Sequence, residues 1–495
     1  MNMPMNRRAF MGSAAATAVA AGTLRPQFAF ASDQFSGVDA VGQAMLVRQK
    51  KVTSLELVDA AIARINAANP KTNAVVAKYF DEARKLAKSA LPTSPLTGMP
   101  YLIKDLNDIK GKIATSGSRL MSKHVGTVNS LMAQKAMDAG LVIVGKTNTP
   151  EFGLMASTES LLLCACHNPW NPEYSTGGSS GGAAAAVASG MLPVAHASDG
   201  GGSIRIPASC CGVFGMKPSR GRMAFTALEK MPGDIAVENC VSRSVRDSAM
   251  IFSLSEDNSA HAPFKPTGFV SVASKKRLKI AFSTLSYYGK EPHDDVKASV
   301  EETAKLCKSL GHEIIEAKNP VGGEEFIDSF LTVWAYGPAE LVALAKSHKL
   351  KPEDVLEPWT IGLAEYFVKK PKDALMKSLA YFRKVEAMTD AFMAQYDAWL
   401  TPVLTSTPPK LGEQAPTVPF QTLYDRITAY VAYTPIHNVA GTPAMSVPLG
   451  WGKNGLPIGS QFAAAKGGEG LLYALAYELE QAQPWAAKHG AVWAG

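Results

Sequence analysis

A run of glycine and serine hemmed in by apolar segments constrains this chain more than any other feature. Between Tyr174 and Arg222 the sequence reads YSTGGSSGGAAAAVASGMLPVAHASDGGGSIRIPASCCGVFGMKPSRGR. Gly177, Gly178, Gly181 and Gly182 bracket Ser179 and Ser180, and Gly200, Gly201 and Gly202 deliver Ser203. Glycine lets backbone N–H groups come close to a ligand and take conformations that other residues resist. The serines add hydroxyls, which serve as nucleophiles or as proton relays. A flexible Gly/Ser linker would not contain AAAAVASGMLPVA or IPASCCGVFGM, so the glycines belong inside a packed domain.

The 495 residues are 46% hydrophobic and 19% charged, enough for a large core. The formal charge is +7, but the longest basic run is Lys275-Lys276-Arg277. No aromatic-interleaved basic patch accompanies it, so nucleic acid is not an expected partner. At the N-terminus, Asn6-Arg7-Arg8-Ala9-Phe10-Met11 is a twin-arginine pattern, followed by the apolar GSAAATAVAAG and an A-x-A cleavage site at Ala29-Phe30-Ala31. The expected organisation is a signal peptide over 1–31 and one domain over 32–495. The mature protein would be exported to a bacterial periplasm and have no membrane attachment. The apolar run is too short to span a bilayer. Cys164, Cys166, Cys210, Cys211, Cys240 and Cys307 lack the spacing of a metal set. Buried free thiols are expected, with one disulfide left open.

Periodicity predicts helices over Asp39–Lys50, Leu55–Asn66, Asp81–Leu91, Leu131–Ala139, Ala183–Gly190 and Asp294–Leu310. Thr53 and Glu56 form a capping box for the second, and Pro70 marks its end. Strands are expected over Pro100–Asp105, Leu141–Gly145, Leu192–Ala197, Leu278–Ser283, His312–Glu316, Ala398–Pro402 and Ala444–Leu449. Residues Glu325–Tyr396 read as helical and rich in aromatics. The alternation argues for an α/β fold, a mixed sheet with helices on both faces.

Around Lys104 the chain reads GMPYLIKDL, at Val144–Gly153 VGKTNTPEFG, and at Asn168–Gly178 NPWNPEYSTGG. Together with GGSSGG, DGGGSIRIPASCCGVFGMKPSRGR and the closing NVAGTPAMSVPLG and GLPIGSQF, these resemble the amidase signature family over essentially the whole mature chain. The PVAH, NPWN, KTNTPE and SVRDSA stretches look most like its bacterial branch that contains 6-aminohexanoate cyclic-dimer hydrolase. The resemblance implies the amidase-signature fold and hydrolysis of a linear or cyclic carboxylic amide, with no metal and no cofactor. It makes Ser203 the nucleophile, Ser179 the bridging serine after a cis peptide bond, and Lys104 the base. Backbone N–H groups of Gly200, Gly201, Gly202 and Ser203 would hold the oxyanion. Ser180 and Arg205 would support the site, Arg205 through an ion pair. Phe330, Trp334 and Tyr336 fall where the family varies its substrate lining. Gly200 stands where several relatives carry a side chain, and Ser198-Asp199 replaces a commoner Thr-Asp.

The chemistry is consistent with these roles. A serine hydroxyl needs a neighbour to take its proton, and lysine can do so only when burial favours its neutral form. The apolar Tyr101-Leu102-Ile103 provides that setting. Other readings are weaker. Gly177–Gly181 matches G-x-S-x-G, but the preceding NPWNPEYST is turn-like where a nucleophile elbow needs a strand. No phosphate-loop motif occurs. Lys146 is a rival base, better read as a sheet-end lysine. His196 and His437 lie in apolar stretches that suit core histidines. Two other functions share these motifs: the glutaminase subunit of a tRNA-dependent amidotransferase, and an exported binding protein on a retired amidase fold. The expected partner is a small amide, and a homodimer stays open.

Overall fold

The computed structural model describes residues 35–223 and 233–495. The signal segment over 1–31, with its cleavage motif, lies outside the described residues. The first strands are β1 (Val75–Lys78), β2 (Pro100–Lys104) and β3 (Val142–Thr147), followed by the short pair β4 (Glu159–Ser160) and β5 (Cys164–Ala165). Next come β6 (Val194–Asp199), β7 (Phe214–Lys217), β8 (Val237–Ser242), β9 (Lys279–Phe282) and β10 (Glu313–Glu316). The last are β11 (Ala398–Pro402), β12 (Ala444–Trp451) and β13 (Pro457–Ala463).

Eight of these form a mixed sheet in the order β10-β9-β11-β13-β12-β7-β8-β6, and β1-β3-β2 form a second, three-stranded sheet. The β9, β10 and β11 strands pair in parallel, and the run from β11 to β6 is antiparallel throughout. The two sheets meet where β2 faces β6. There the backbone N–H of Lys104 donates to His196 Nδ1 at 3.2 Å, a side chain standing in for a ladder carbonyl.

The helix Gly181–Ala188 explains why the sheets can come so close. All eight of its residues are buried, as expected of a helix that is apolar all round. Its side chains are methyl-sized or absent apart from Val187, so neighbouring backbone packs directly against it. A Cβ at Gly182 would lie 2.3 Å from Asn148 N, 2.6 Å from Asn148 O and 2.7 Å from Ala74 O. Amphipathic helices cover the rest. Asp294–Ser309 buries Val296, Val300, Thr303, Ala304 and Cys307 on one stripe. Glu324–Ser347 carries Phe326, Phe330 and Trp334 along one face, with successive rings stacked at 6.4 and 5.6 Å between centroids.

Most expected elements are present, with ends moved by a few residues. One boundary differs in kind. The helix that starts at the Thr53–Glu56 capping box continues to Thr72 with Pro70 inside it, and stops at Asn73 in the left-handed region (φ 48). Pro70 lies two residues before the end of this helix, and Asn tolerates the left-handed closing position. The β7 and β8 strands were not anticipated. All their residues are buried, but the apolar ones are interrupted by glycine, lysine, glutamate and asparagine, which hides the strand pattern. Five of the six cysteines are buried and Cys164 is exposed, all as free thiols. No helix among the described residues is long and apolar enough to cross a membrane.

The tight backbone contact at the central helix gives a test of the packing. Gly182→Ala should cost about 1–3 kcal/mol, because backbone on both sides must shift to admit the methyl group. Chemical denaturation beside the wild type measures it, and an unchanged midpoint would contradict the packing described.

Candidate active site

Lys104 closes β2 and is fully buried. Its Nζ lies 2.6 Å from Ser179 Oγ, 2.8 Å from Ser180 Oγ and 3.1 Å from Ser198 Oγ. Burial pushes the lysine down to about 7, against the raising influence of Asp199 and Glu238. Its direct partners are thus three hydroxyls and no carboxylate. Ser180 Oγ donates to Ser198 O at 3.2 Å, so toward the lysine it acts as an acceptor. A neutral amine has two N–H groups and one lone pair. With one N–H spent on Ser180, the other N–H and the lone pair serve Ser179 and Ser198.

Ser179 is held by the turn that precedes the buried helix. The Gly178–Ser179 peptide is cis, as the resemblance implies. Gly153 approaches so closely that a Cβ there would be 3.1 Å from Ser179 Oγ. No strand leads directly into Gly177, which removes the nucleophile-elbow alternative. The second serine segment is joined to the first by a hydrogen bond from Ser180 N–H to Ser203 O at 3.3 Å. Ser203 follows β6 through the turn Gly200–Gly202 and precedes the helix Arg205–Cys211. At Gly202 φ is +134, a backbone conformation that favours glycine, and a Cβ there would lie 2.3 Å from Thr434 Oγ1.

Asp199 organises this turn. Its Oδ1 accepts from Gly202 N–H at 2.7 Å and its Oδ2 from Ile204 N–H at 3.2 Å. Arg205 meets the same carboxylate with two hydrogen bonds, Nε at 3.0 Å and Nη2 at 2.9 Å, both groups fully buried. Asn438 Nδ2 adds a bond at 2.9 Å. Burial alone would push this carboxyl up, but Arg205 outweighs it and holds Asp199 well below the usual carboxylate range. Arg205 also donates to Thr434 O, Gln461 Oε1 and Asn438 Oδ1, tying β6 to β13 and to the helix Pro435–Val439. Arg205 therefore makes the expected ion pair. Of the backbone groups put forward for an oxyanion, Gly202 N–H is committed to Asp199. Those of Gly200, Gly201 and Ser203 have no acceptor among the described residues.

The aromatic candidates divide. A Cβ at Gly201 would meet Phe330 Cζ at 3.0 Å, and one at Gly200 would meet Trp334 Cζ3 at 3.0 Å. Both rings therefore lie against the turn that leads to Ser203. Tyr336 instead packs edge-on against Phe367 at 5.6 Å. Two residues beyond Trp334, it falls on another helix face. Lys146 is paired with Asp105 at 3.1 Å, so it is the charge-paired lysine of the sheet. His437 is a core histidine whose Nδ1 lies 3.0 Å from Thr442 Oγ1. His196 is buried too, but against the backbone of Lys104. Ser198, Glu238 and Asn107 were not singled out from the sequence. The Ser198-Asp199 dipeptide was the available hint for the first, and Glu238 and Asn107 carry no motif.

Comparison with known proteins agrees with this geometry. The family model described as Amidase matches residues 56–473. AmiC of Mycobacterium tuberculosis is 36% identical over 465 residues, 93% of this chain and 98% of AmiC. The 6-aminohexanoate-cyclic-dimer hydrolase of Pseudomonas sp. strain NK87 is 35% identical over 479 residues, 91% of this chain and 96% of that protein. A solved structure of 6-aminohexanoate cyclic dimer hydrolase complexed with substrate superposes with a TM-score of 0.85 at 31% identity, covering 92% of this chain and 99% of that one. A buried lysine bonded to serine hydroxyls, on this fold and with these relatives, places the chain in the amidase signature family as an amidohydrolase.

Proposed function

We propose that Ser203 is the nucleophile, Ser179 the proton relay and Lys104 the base in hydrolysis of a small carboxylic amide. The observation that carries this is the 2.6 Å contact between Ser179 Oγ and a fully buried amine that has no carboxylate in contact. Ser203 Oγ attacks the amide carbon while its proton passes to Ser179 Oγ and that of Ser179 to the lone pair of Lys104. The carbonyl oxygen becomes an oxyanion, met by N–H groups of Gly200, Gly201 and Ser203. Such donors are worth about 3–4 kcal/mol each in comparable sites. Collapse breaks the C–N bond. The amine leaves with a proton returned from Lys104 through Ser179, and the acyl group stays on Ser203. Water then attacks the ester along the same relay and frees the acid. Phe330 and Trp334 offer an aromatic wall beside the turn, which suits an apolar acyl chain. The relatives that act on a cyclic amide favour including cyclic substrates.

Ser203→Ala should abolish labelling by a fluorophosphonate probe and lower kcat by about 10⁴-fold or more. Turnover of a panel of linear and cyclic amides by the same samples reads the substrate class. A Ser203→Ala protein that is still labelled and still hydrolyses amides would overturn the assignment.

The reaction needs lysine uncharged, so activity is lost on the acid side of its titration. In the wild type log kcat/KM should rise with slope one as pH increases, levelling off near the value of about 7 to which Lys104 is pushed. A profile flat from pH 5 to 9 would count against Lys104 as the base.

We also propose export through the twin-arginine route, supported by the N-terminal Arg7-Arg8 pattern and the apolar run after it. In cell fractionation of a bacterial host, the wild type should be recovered in the periplasm and the Arg7→Lys/Arg8→Lys variant retained in the cytoplasm. Identical distributions would rule the route out.

A further inference from the structure

Beside Lys104, on the β6 face that carries Ser198, lies a second polar group that the acyl-transfer steps do not use. His196 and Ser198 alternate on β6 and so share a face. Ser198 pairs directly with Glu238 across the β6–β8 ladder, which brings the Glu238 side chain to that same face. Ser198 Oγ is 3.1 Å from Lys104 Nζ. The face that presents a hydroxyl to the amine therefore presents a carboxyl beside it.

One hydrogen bond holds this carboxyl, and a histidine ring lies beside it. Asn107, three residues beyond Lys104, donates from Nδ2 to Glu238 Oε1 at 2.8 Å, and Asn107 N–H donates back to Lys104 O at 3.1 Å. His196 accepts the Lys104 backbone N–H on Nδ1. The proton of its neutral ring is thereby left on Nε2, 3.8 Å from Glu238 Oε1. That nitrogen is buried and has no hydrogen-bond partner among the described residues. Burial pushes His196 down to about 3, so it stays uncharged. The Lys104 backbone is thus bonded to two residues, Asn107 and His196, of which Asn107 also donates to the Glu238 carboxyl and His196 lies beside it.

We propose that Glu238 is a positioning residue which, held by Asn107 and lying beside His196, sets the protonation of Lys104 through its charge. This rests on the reading of Lys104 as the base. A carboxylate on the adjoining strand favours the ammonium that forms when Ser203 gives up its proton. It does not touch the amine, as a salt-bridge partner would, so it does not lock the amine in the charged form. Glu238 is itself pushed by burial up to about 7, with Asn107 and Lys104 opposing. The two groups therefore titrate together over one range of pH. The other titratable groups facing the pair are accounted for. Asp199 also favours the ammonium but is ion-paired with Arg205 and stays charged throughout this range, and burial keeps Tyr101 and Cys240 protonated. Lys146 and Asp105 are paired with each other.

The test is the pH profile of Glu238→Gln beside the wild type, Glu238→Asp and Lys104→Met, with amide turnover as the readout. Glu238→Gln keeps an acceptor for Asn107 and removes only the charge. The acid limb of kcat/KM should move to lower pH by about one unit, since the carboxylate that favoured the ammonium is gone. Plateau kcat should fall several-fold with KM unchanged, because Glu238 does not reach the serines. Glu238→Asp should bring the limb back toward the wild type. If Glu238→Gln does not fold, Asn107→Ala tests the same point from outside. Losing that donor leaves Glu238 more protonated, and the limb should move in the same direction. A folded Glu238→Gln enzyme with an unmoved acid limb and unchanged kcat, beside an inactive Lys104→Met, would overturn the role of Glu238 alone. An active Lys104→Met enzyme would overturn the base assignment and this inference with it.

Discussion

Everything at this site depends on keeping one amine out of water and away from direct contact with a carboxylate. The same small sheet contains the contrasting case. Lys146, on the strand next to Lys104, is also buried, but it has Asp105 at 3.1 Å. A contact of that kind returns to the ammonium much of what burial removes. Lys104 has three hydroxyls in the equivalent shell. Hydroxyls solvate either form of the amine and donate as readily as they accept. The difference between a charge-paired lysine and the proposed base is therefore made by the neighbours, since both lie at the ends of buried strands.

The second requirement is that nearby negative charge be used elsewhere. Asp199 lies one residue after Ser198 and would be a natural partner for Lys104. Instead it is enclosed by Arg205, Asn438 and two backbone N–H groups. Alternation along β6 helps, because Ser198 and Asp199 point to opposite faces. The ion pair thus shapes the turn to Ser203 and also keeps Asp199 out of direct contact with the amine. A buried pair of this kind is poor evidence for stability on its own. Here its use is geometric, since both ends are bonded into three separate parts of the chain.

The sequence made the local chemistry readable and left the cross-sheet chemistry hidden. Lys104, Ser179, Ser203 and Arg205 sit in short motifs whose meaning does not depend on what is across the sheet. Glu238 joins them only through the register of β6 with β8, and nothing within its own segment marks it. His196 was read as a core histidine, which its burial supports. Its bond to the Lys104 backbone is a tertiary fact that composition could not supply. Tyr336 shows the opposite case, where the information was present. Phe326, Phe330 and Trp334 recur at intervals of four and share a helix face, whereas Tyr336 breaks that interval. Pro70 marks the helix end only to within two residues, since the helix runs on to Thr72.

The turn to Ser203 and the long helix Glu324–Ser347 are far apart in the chain but are fitted to one another. Trp334 comes as close as it does because Gly200 has no side chain, and Phe330 because Gly201 has none. A larger residue at Gly200 would have to displace the indole, since ring atoms already lie at 3.0 and 3.3 Å from where its Cβ would be. A rigid aromatic stack anchored at Phe326 leaves little room to swing aside. The backbone that would face an oxyanion and the wall beside it are therefore one packing unit. Changing the shape of this wall means changing residues 200 and 334 together, which neither the motif nor the helix would reveal alone.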